Sequence, residues 1–182
     1  MLRSETPDET WSVVVLYDDA PTRQRAMGLC NRLVQRFWEE VEIRFHWWRS
    51  DFLVDDLMRT TATQDAVGAD FIVVSSRPEQ QFSPFVVKWF EDWIRQREGR
   101  EGAFLDLTEP EAGSADNVQR RQLHLRRLAH RAMMDYLTQV SQIMDGPLPD
   151  SFESVEHRAA QITSVMDQIL HLPPPPRLDL PR

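Results

Sequence analysis

Two short runs of β-branched and aliphatic residues, Trp11 to Tyr17 (WSVVVLY) and Asp70 to Ser75 (DFIVVS), constrain the fold more than any other feature of the chain. Both are apolar with little alternation, both run straight into a polar turn, and both are followed by a helical pattern. A strand without a wet face has to be covered on both sides, which is the condition of a parallel sheet inside an α/β sandwich.

Around these runs the periodicity changes. Ala26, Leu29, Cys30, Leu33, Val34, Phe37 and Val41 recur at three and four and mark one face of a helix from Thr22 to Val41. Glu42 to Trp48 (EIRFHWW) alternates instead, which predicts an edge strand with one wetter face. Ser50 and Asp51 are N-cap types ahead of Phe52, Leu53, Leu57 and Met58, in a helix that fades near Gly68. Ser83-Pro84 opens a third helix with Phe85, Val86, Trp89, Phe90, Trp93 and Ile94 on its core face, and Ala103 to Leu107 reads as a fourth strand. This alternation predicts an α/β fold: an open, doubly wound parallel sheet of about four strands in the order 2-1-3-4, with flanking helices and a C-terminal helical extension.

The second half reads as helical. Asp116 to about Met144 is expected to be one long helix with Leu125, Leu128, Ala129, Ala132, Met133, Tyr136, Leu137 and Val140 on its stripe. Gly146-Pro147-Leu148-Pro149 breaks it, and Asp150 with Glu153 forms a capping box for another helix. There Phe152, Val155, Ile162, Met166 and Ile169 form a short seam of coiled-coil spacing, from which a homodimer is expected. The chain thus divides into a disordered stretch 1–10, an α/β domain 11–145, a helix 146–172 and a proline-rich tail 173–182.

Composition narrows the function classes. With 41% hydrophobic residues, 6 Trp and 9 Phe among 182 residues, the chain can bury a core. Its formal charge of -8 argues against nucleic acid as a partner. No apolar run approaches the roughly 20 residues of a membrane span. Met1 to Thr10 has no hydrophobic stretch of the secretory kind, so the expected location is the cytoplasm. A lone cysteine, Cys30, offers no intrachain disulfide and reads as a buried thiol.

Chemistry, if present, belongs at the carboxyl ends of the strands, where open α/β sheets place their ligands. That rim gathers Asp18 and Asp19, then Trp48, Arg49 and Asp51, then Ser75, Ser76, Arg77 and Glu79, then Asp106, Thr108 and Glu109. Asp18 and Asp19 fit a hard cation or an acid/base pair, and equally a helix cap. The turn after the first strand holds no glycine, which excludes the phosphate loop and the dinucleotide fingerprint. Trp47 and Trp48, adjacent in a strand, must point to opposite faces. The basic run Arg120, Arg121, His124, Arg126, Arg127, His130, Arg131 reads as a solvated helix face, with an anion or acidic-partner site as the alternative.

A strand ending in an acidic pair, a strand of the form Asp70-Phe71-Ile72-Val73-Val74-Ser75, and a strand running into Leu107-Thr108 together resemble the receiver domain of two-component response regulators, over Trp11 to Thr108. The resemblance implies that Asp18 and Asp19 match the family's Mg²⁺-binding pair and Thr108 its switch hydroxyl. It departs at the phosphoacceptor, where Ser75 stands and cannot form an acyl phosphate, and in the absence of a fifth strand bearing the family's lysine. The expectation is therefore a pseudo-receiver: a non-catalytic interaction or signalling module, self-associating, with no cofactor, no metal and a protein partner. The rival is a small enzyme or nucleotide- or phosphate-binding domain that uses Asp18, Asp19, Ser75 and Thr108 at the rim. An open rim with convergent polar groups favours the rival, and a filled one favours the module.

Overall fold

A computed structural model describes residues 9–109, 113–138 and 170. Five parallel strands form one open sheet in the order β2-β1-β3-β4-β5, with β1 Glu9–Tyr17, β2 Val41–Arg49, β3 Phe71–Ser75, β4 Ala103–Asp106 and β5 Asp135–Thr138. The connecting helices are α1 Ala20–Phe37, α2 Asp56–Val67, α3 Pro84–Gln96 and α4 Ala115–Arg131. The doubly wound parallel architecture is as the sequence predicts. β1 begins two residues before Trp11, so Glu9 and Thr10 belong to the sheet.

Strand pleating divides the core into two layers. Val14, Leu16, Ile72, Val74 and Phe104 face α2, α3 and α4 and pack with Leu53, Trp89, Phe90, Trp93 and Leu125. Val13, Val15, Phe71, Val73 and Leu105 face α1 and pack with Ala26, Leu29, Leu33, Leu137 and Leu170. Trp89, Phe90 and Trp93 are at most 1% exposed, and each such side chain contributes about 1.5–3 kcal/mol by leaving water. Trp48 packs toward the first layer and Trp47 toward the second, as their adjacency requires. Cys30 is buried on α1, and burial pushes its thiol up to about 12.

Three sequence expectations give way. The long helix from Asp116 ends at Arg131, and Tyr136 and Leu137 lie on the fifth strand. Met133 takes a left-handed φ of 56°, with Met133 N donating to His130 O at 3.1 Å and Met134 N to Ala129 O at 2.9 Å. These two bonds close the helix in a Schellman motif, the stop normally marked by glycine. Val140 falls outside the described residues, as do Phe152, Val155, Ile162, Met166 and Ile169.

The helix expected from Ser50 onward is instead a 3₁₀ turn, Ser50–Val54, followed by α2, whose cap is Asp55 accepting from Met58 N at 2.9 Å. Of the apolar residues assigned to that helix only Leu53 is buried. α2 turns Arg59, Ala62, Thr63 and Ala66 inward, while Leu57 and Met58 face out. Finally, Phe85 is not core but 39% exposed: α3 turns Val86, Trp89, Phe90, Trp93 and Ile94 inward, and Phe85 lies off that face with the Arg59 guanidinium 5.7 Å from its ring.

Candidate functional site

The loop after β1 is closed on itself. Asp19 is the N-cap of α1: its Oδ1 accepts from Thr22 N at 3.0 Å, while Thr22 Oγ1 accepts from Asp18 N at 3.0 Å and from Asp19 N at 2.8 Å. Pro21 has no amide hydrogen to offer. The amides of Asp18, Asp19 and Thr22, where a doubly wound fold would hold a phosphate, are thus engaged internally, beside two carboxylates. Burial works to raise the Asp19 carboxyl, but the Thr22 amide and hydroxyl and then Arg77 outweigh it, and its pKa lies below the usual aspartate value.

The loop after β3 folds across this one, bringing the first and third loops together. Arg77 N donates to Asp18 Oδ2 at 3.0 Å and Arg77 Nε to Asp19 Oδ2 at 2.5 Å, so one residue engages both carboxylates. Ser75, at the position of the phosphoacceptor in the receiver comparison, has no solvent exposure and donates to Thr22 O at 2.7 Å. Ser76 Oγ lies 3.4 Å from Thr108 Oγ1, both hydroxyls being buried. Arg25 of α1 reaches across to Leu107 O at 3.0 Å and to Glu109 at 3.1 Å, which fixes the loop after β4.

Sequence reasoning missed Arg121. Its arginine-rich surroundings in sequence read as a solvated basic run, yet it is 7% exposed, donating to Ser76 Oγ at 3.2 Å, to Arg77 O at 3.3 Å and to Gln80 O, with its guanidinium 3.7 Å above the Phe82 ring. The signal was present: Arg121 stands three residues after Val118 and four before Leu125, on the apolar stripe of α4. Burial lowers its pKa, and Asp18, Asp106 and Glu79 work against that.

Asp106 is a buried carboxyl on β4. With 0% exposure it accepts from Thr108 N at 2.8 Å and from the Tyr136 hydroxyl at 2.8 Å. Burial raises its carboxyl above the ordinary value despite these bonds, and raises the Tyr136 phenol as well. The sequence hides Tyr136 because its spacing continues the helical stripe of α4.

Of the expected rim residues, Asp18, Asp19, Ser75, Ser76, Arg77 and Thr108 do converge. Trp48 and Arg49 do not join them: Trp48 Nε1 donates to Asp65 on α2 at 3.0 Å, and Arg49 pairs with Asp51 at 2.5 Å. Beside the rim lies a hollow of about 230 Å³, lined among others by Asp18, Asp51, Val54, Phe82, Val86 and Arg121. Among the described residues no group of three or more His, Cys, Asp or Glu is placed to hold a metal ion. Nor is any helix among them long and apolar enough to cross a membrane.

No family model matches the chain, and no curated protein does. Among solved structures the chain is similar in fold to an oxidoreductase from Corynebacterium diphtheriae, at 13% identity and a TM-score of 0.50, over 88% of this chain and 93% of that one.

Proposed function

We propose that the chain is a non-catalytic, receiver-like contact module that acts through a protein partner. The observation that carries this reading is the rim, which the protein fills with its own groups: Arg77 bridges Asp18 and Asp19, the Ser75 hydroxyl is engaged by Thr22, and the amides at the head of α1 are closed by the capping box. A catalytic or phosphate-binding rim keeps donors free and aimed at the ligand. The fifth strand supplies no lysine either, since its residues are Asp135, Tyr136, Leu137 and Thr138.

A nucleotide- or phosphate-binding role is the second reading, and the hollow between Asp18 and Arg121 favours it. Against it, Arg121 already donates to Ser76, Arg77 and Gln80, and Asp18 would repel an anion. The neighbour of like fold is an oxidoreductase, so the ligands to try are flavin and nicotinamide nucleotides, together with Mg²⁺ and acetyl phosphate. Calorimetry and intact-mass measurement on the full chain are expected to show neither binding nor a phosphoryl adduct. Nucleotide binding that Asp18→Asn or Arg77→Ala abolishes would overturn the module reading in favour of the enzyme.

A further inference from the structure

Exposed cations on this protein are mostly answered by carboxylates: Arg36 pairs with Glu40, Arg44 with Glu42, Lys88 with Asp92 and Arg100 with Asp70. The outer face of α4 departs from this. Residues 115–131 hold five arginines and two histidines against one acid, Asp116. Arg120, His124, Arg127 and Arg131 fall at spacings of three and four and share that face. Arg131 meets Glu91 of α3 at 2.6 Å. Arg120 donates to two neutral acceptors on its own helix, Asp116 O at 3.3 Å and Asn117 Oδ1 at 2.9 Å, which satisfy its hydrogen bonds and leave its charge uncompensated. Among the described residues neither Arg120 nor Arg127 enters an ion pair, in a chain whose formal charge is -8.

The same face borders a hollow of about 350 Å³ between the loop 78–82 and α4, lined among others by Phe82, Val87, Asn117, Arg120 and His124, with Glu79 as the acid at its edge. Phe82 is fixed there by the Arg121 guanidinium above its ring and by the His124 ring 6.2 Å away. Arg121 is committed to Ser76, Arg77 and Gln80 and adds charge rather than free donors. Partial burial, then Arg121 and Arg127, lower the pKa of His124; Arg131 adds to them and Glu91 opposes them. The charge around His124 is thus net positive.

We infer that this face of α4, with its hollow, docks an acidic segment of a partner protein, whose Asp or Glu side chains meet Arg120 and Arg127 while an apolar side chain enters beside Phe82. This names the partner chemistry for the contact module proposed above and rests on that reading. Arg120 and Arg127 stand seven residues apart, about 10 Å along the helix axis, which matches several residues of an extended chain and exceeds one phosphate group. The apolar lining from Phe82 and Val87 serves a peptide side chain and not a free anion.

The experiment is a selection of random displayed peptides on the full-length protein, followed by anisotropy titrations of labelled peptides from the enriched pool. Enriched sequences should combine Asp or Glu with an apolar residue. Arg120→Gln with Arg127→Gln should weaken them by about tenfold or more and flatten their salt dependence. Arg36→Gln with Arg44→Gln, the same loss of charge on α1 and β2, should leave binding within about twofold, and the Arg120→Lys, Arg127→Lys pair should keep most of it. Thermal melting checks the fold of each variant; should the glutamine pair melt early, Glu79→Gln is read in its place and should tighten binding. Enrichment of basic or neutral peptides, equal weakening by the two glutamine pairs, weaker binding by Glu79→Gln, or no enrichment overturns the inference. So does displacement of the peptide by micromolar inorganic phosphate, which would assign the face to a phosphoryl ligand, and so does a wild-type dimer that the Arg120→Gln, Arg127→Gln pair dissolves, which would assign it to a second copy. Nucleotide binding at the rim that Asp18→Asn abolishes and the α4 variants leave intact would defeat the module reading while a positive peptide result stands, so the two failures are distinguishable.

Discussion

The Tyr136 hydroxyl donates a 2.8 Å hydrogen bond to Asp106 on the adjacent strand, a carboxylate with no access to solvent. Tyr136→Phe removes one of the donors that face this buried group and should destabilise the protein by about 1–3 kcal/mol, the range for leaving a buried polar atom unsatisfied. Burial holds the folded Asp106 carboxyl above the ordinary aspartate value of 3.8, so its contribution to stability is complete below that value and is lost as pH rises through the folded pKa. Asp106→Asn abolishes this titration. Urea unfolding at acid and at neutral pH should therefore show the wild type faring better against the variant at the acid end. A difference that is larger at neutral pH would contradict the buried, raised carboxyl.

Met133 sits at the left-handed position that closes α4, and its side chain is 65% exposed. Met133→Gly relieves backbone strain with little packing to lose. It should raise stability by about 1 kcal/mol, read as a higher urea midpoint at unchanged slope. A loss of stability would mean that the Met133 side chain, whose Sδ lies near Gly99, is worth more than the strain.

Gly102 marks a close approach just before β4. A Cβ there would meet Asp70 O at 2.5 Å and Arg97 Nη2 at 2.7 Å. Arg97 is 3% exposed and donates to the carbonyls of Ala66, Val67, Ala69, Arg100 and Glu101, binding the end of α2 to the loop before β4. Gly102→Ala should destabilise by about 1–3 kcal/mol as an overpacking change. Thermal melting of the variant near the wild-type midpoint would show that the loop yields.

Leu170 is 6% exposed in the α1-side core, in the same cluster as Leu137. Leu170→Ala should cost about 2–5 kcal/mol, as a buried large-to-small change does. If Leu170 packs on its own domain, the melting midpoint of the wild type is independent of protein concentration. A midpoint that climbs with concentration would place the packing between chains and restore the homodimer expectation.

How far the sequence was legible depended on whether local pattern and packing agreed. β1 and β3 were readable because their continuous apolar runs admit few other placements, and α3 because Ser83-Pro84 announces it. β5 was hidden: Tyr136 and Leu137 continue the helical spacing of α4, and the stop is a methionine where glycine is the usual signal. At the site, Asp19 as a cap was one of the two readings the residues allowed. Arg121 was misassigned because its neighbours Arg120, Arg126 and Arg127 made it look like one of a solvated series, although only position on the stripe decides burial. Leu57 and Met58 continue an apolar helical pattern in the sequence and face solvent in the structure, because spacing alone does not say which face of a helix is covered.

The strand order β2-β1-β3-β4-β5 has a consequence for how the chain is made. After β2 pairs with β1, each later strand adds to the opposite, growing side, so a chain emerging from the ribosome always finds its docking edge already formed. β1 through β4 never wait for a strand still to be synthesised more than one crossover away, which keeps contacts short in sequence for a parallel sheet. The exception is the α1 layer: Leu170 joins Leu29, Leu33 and Val73 only when most of the chain has been released.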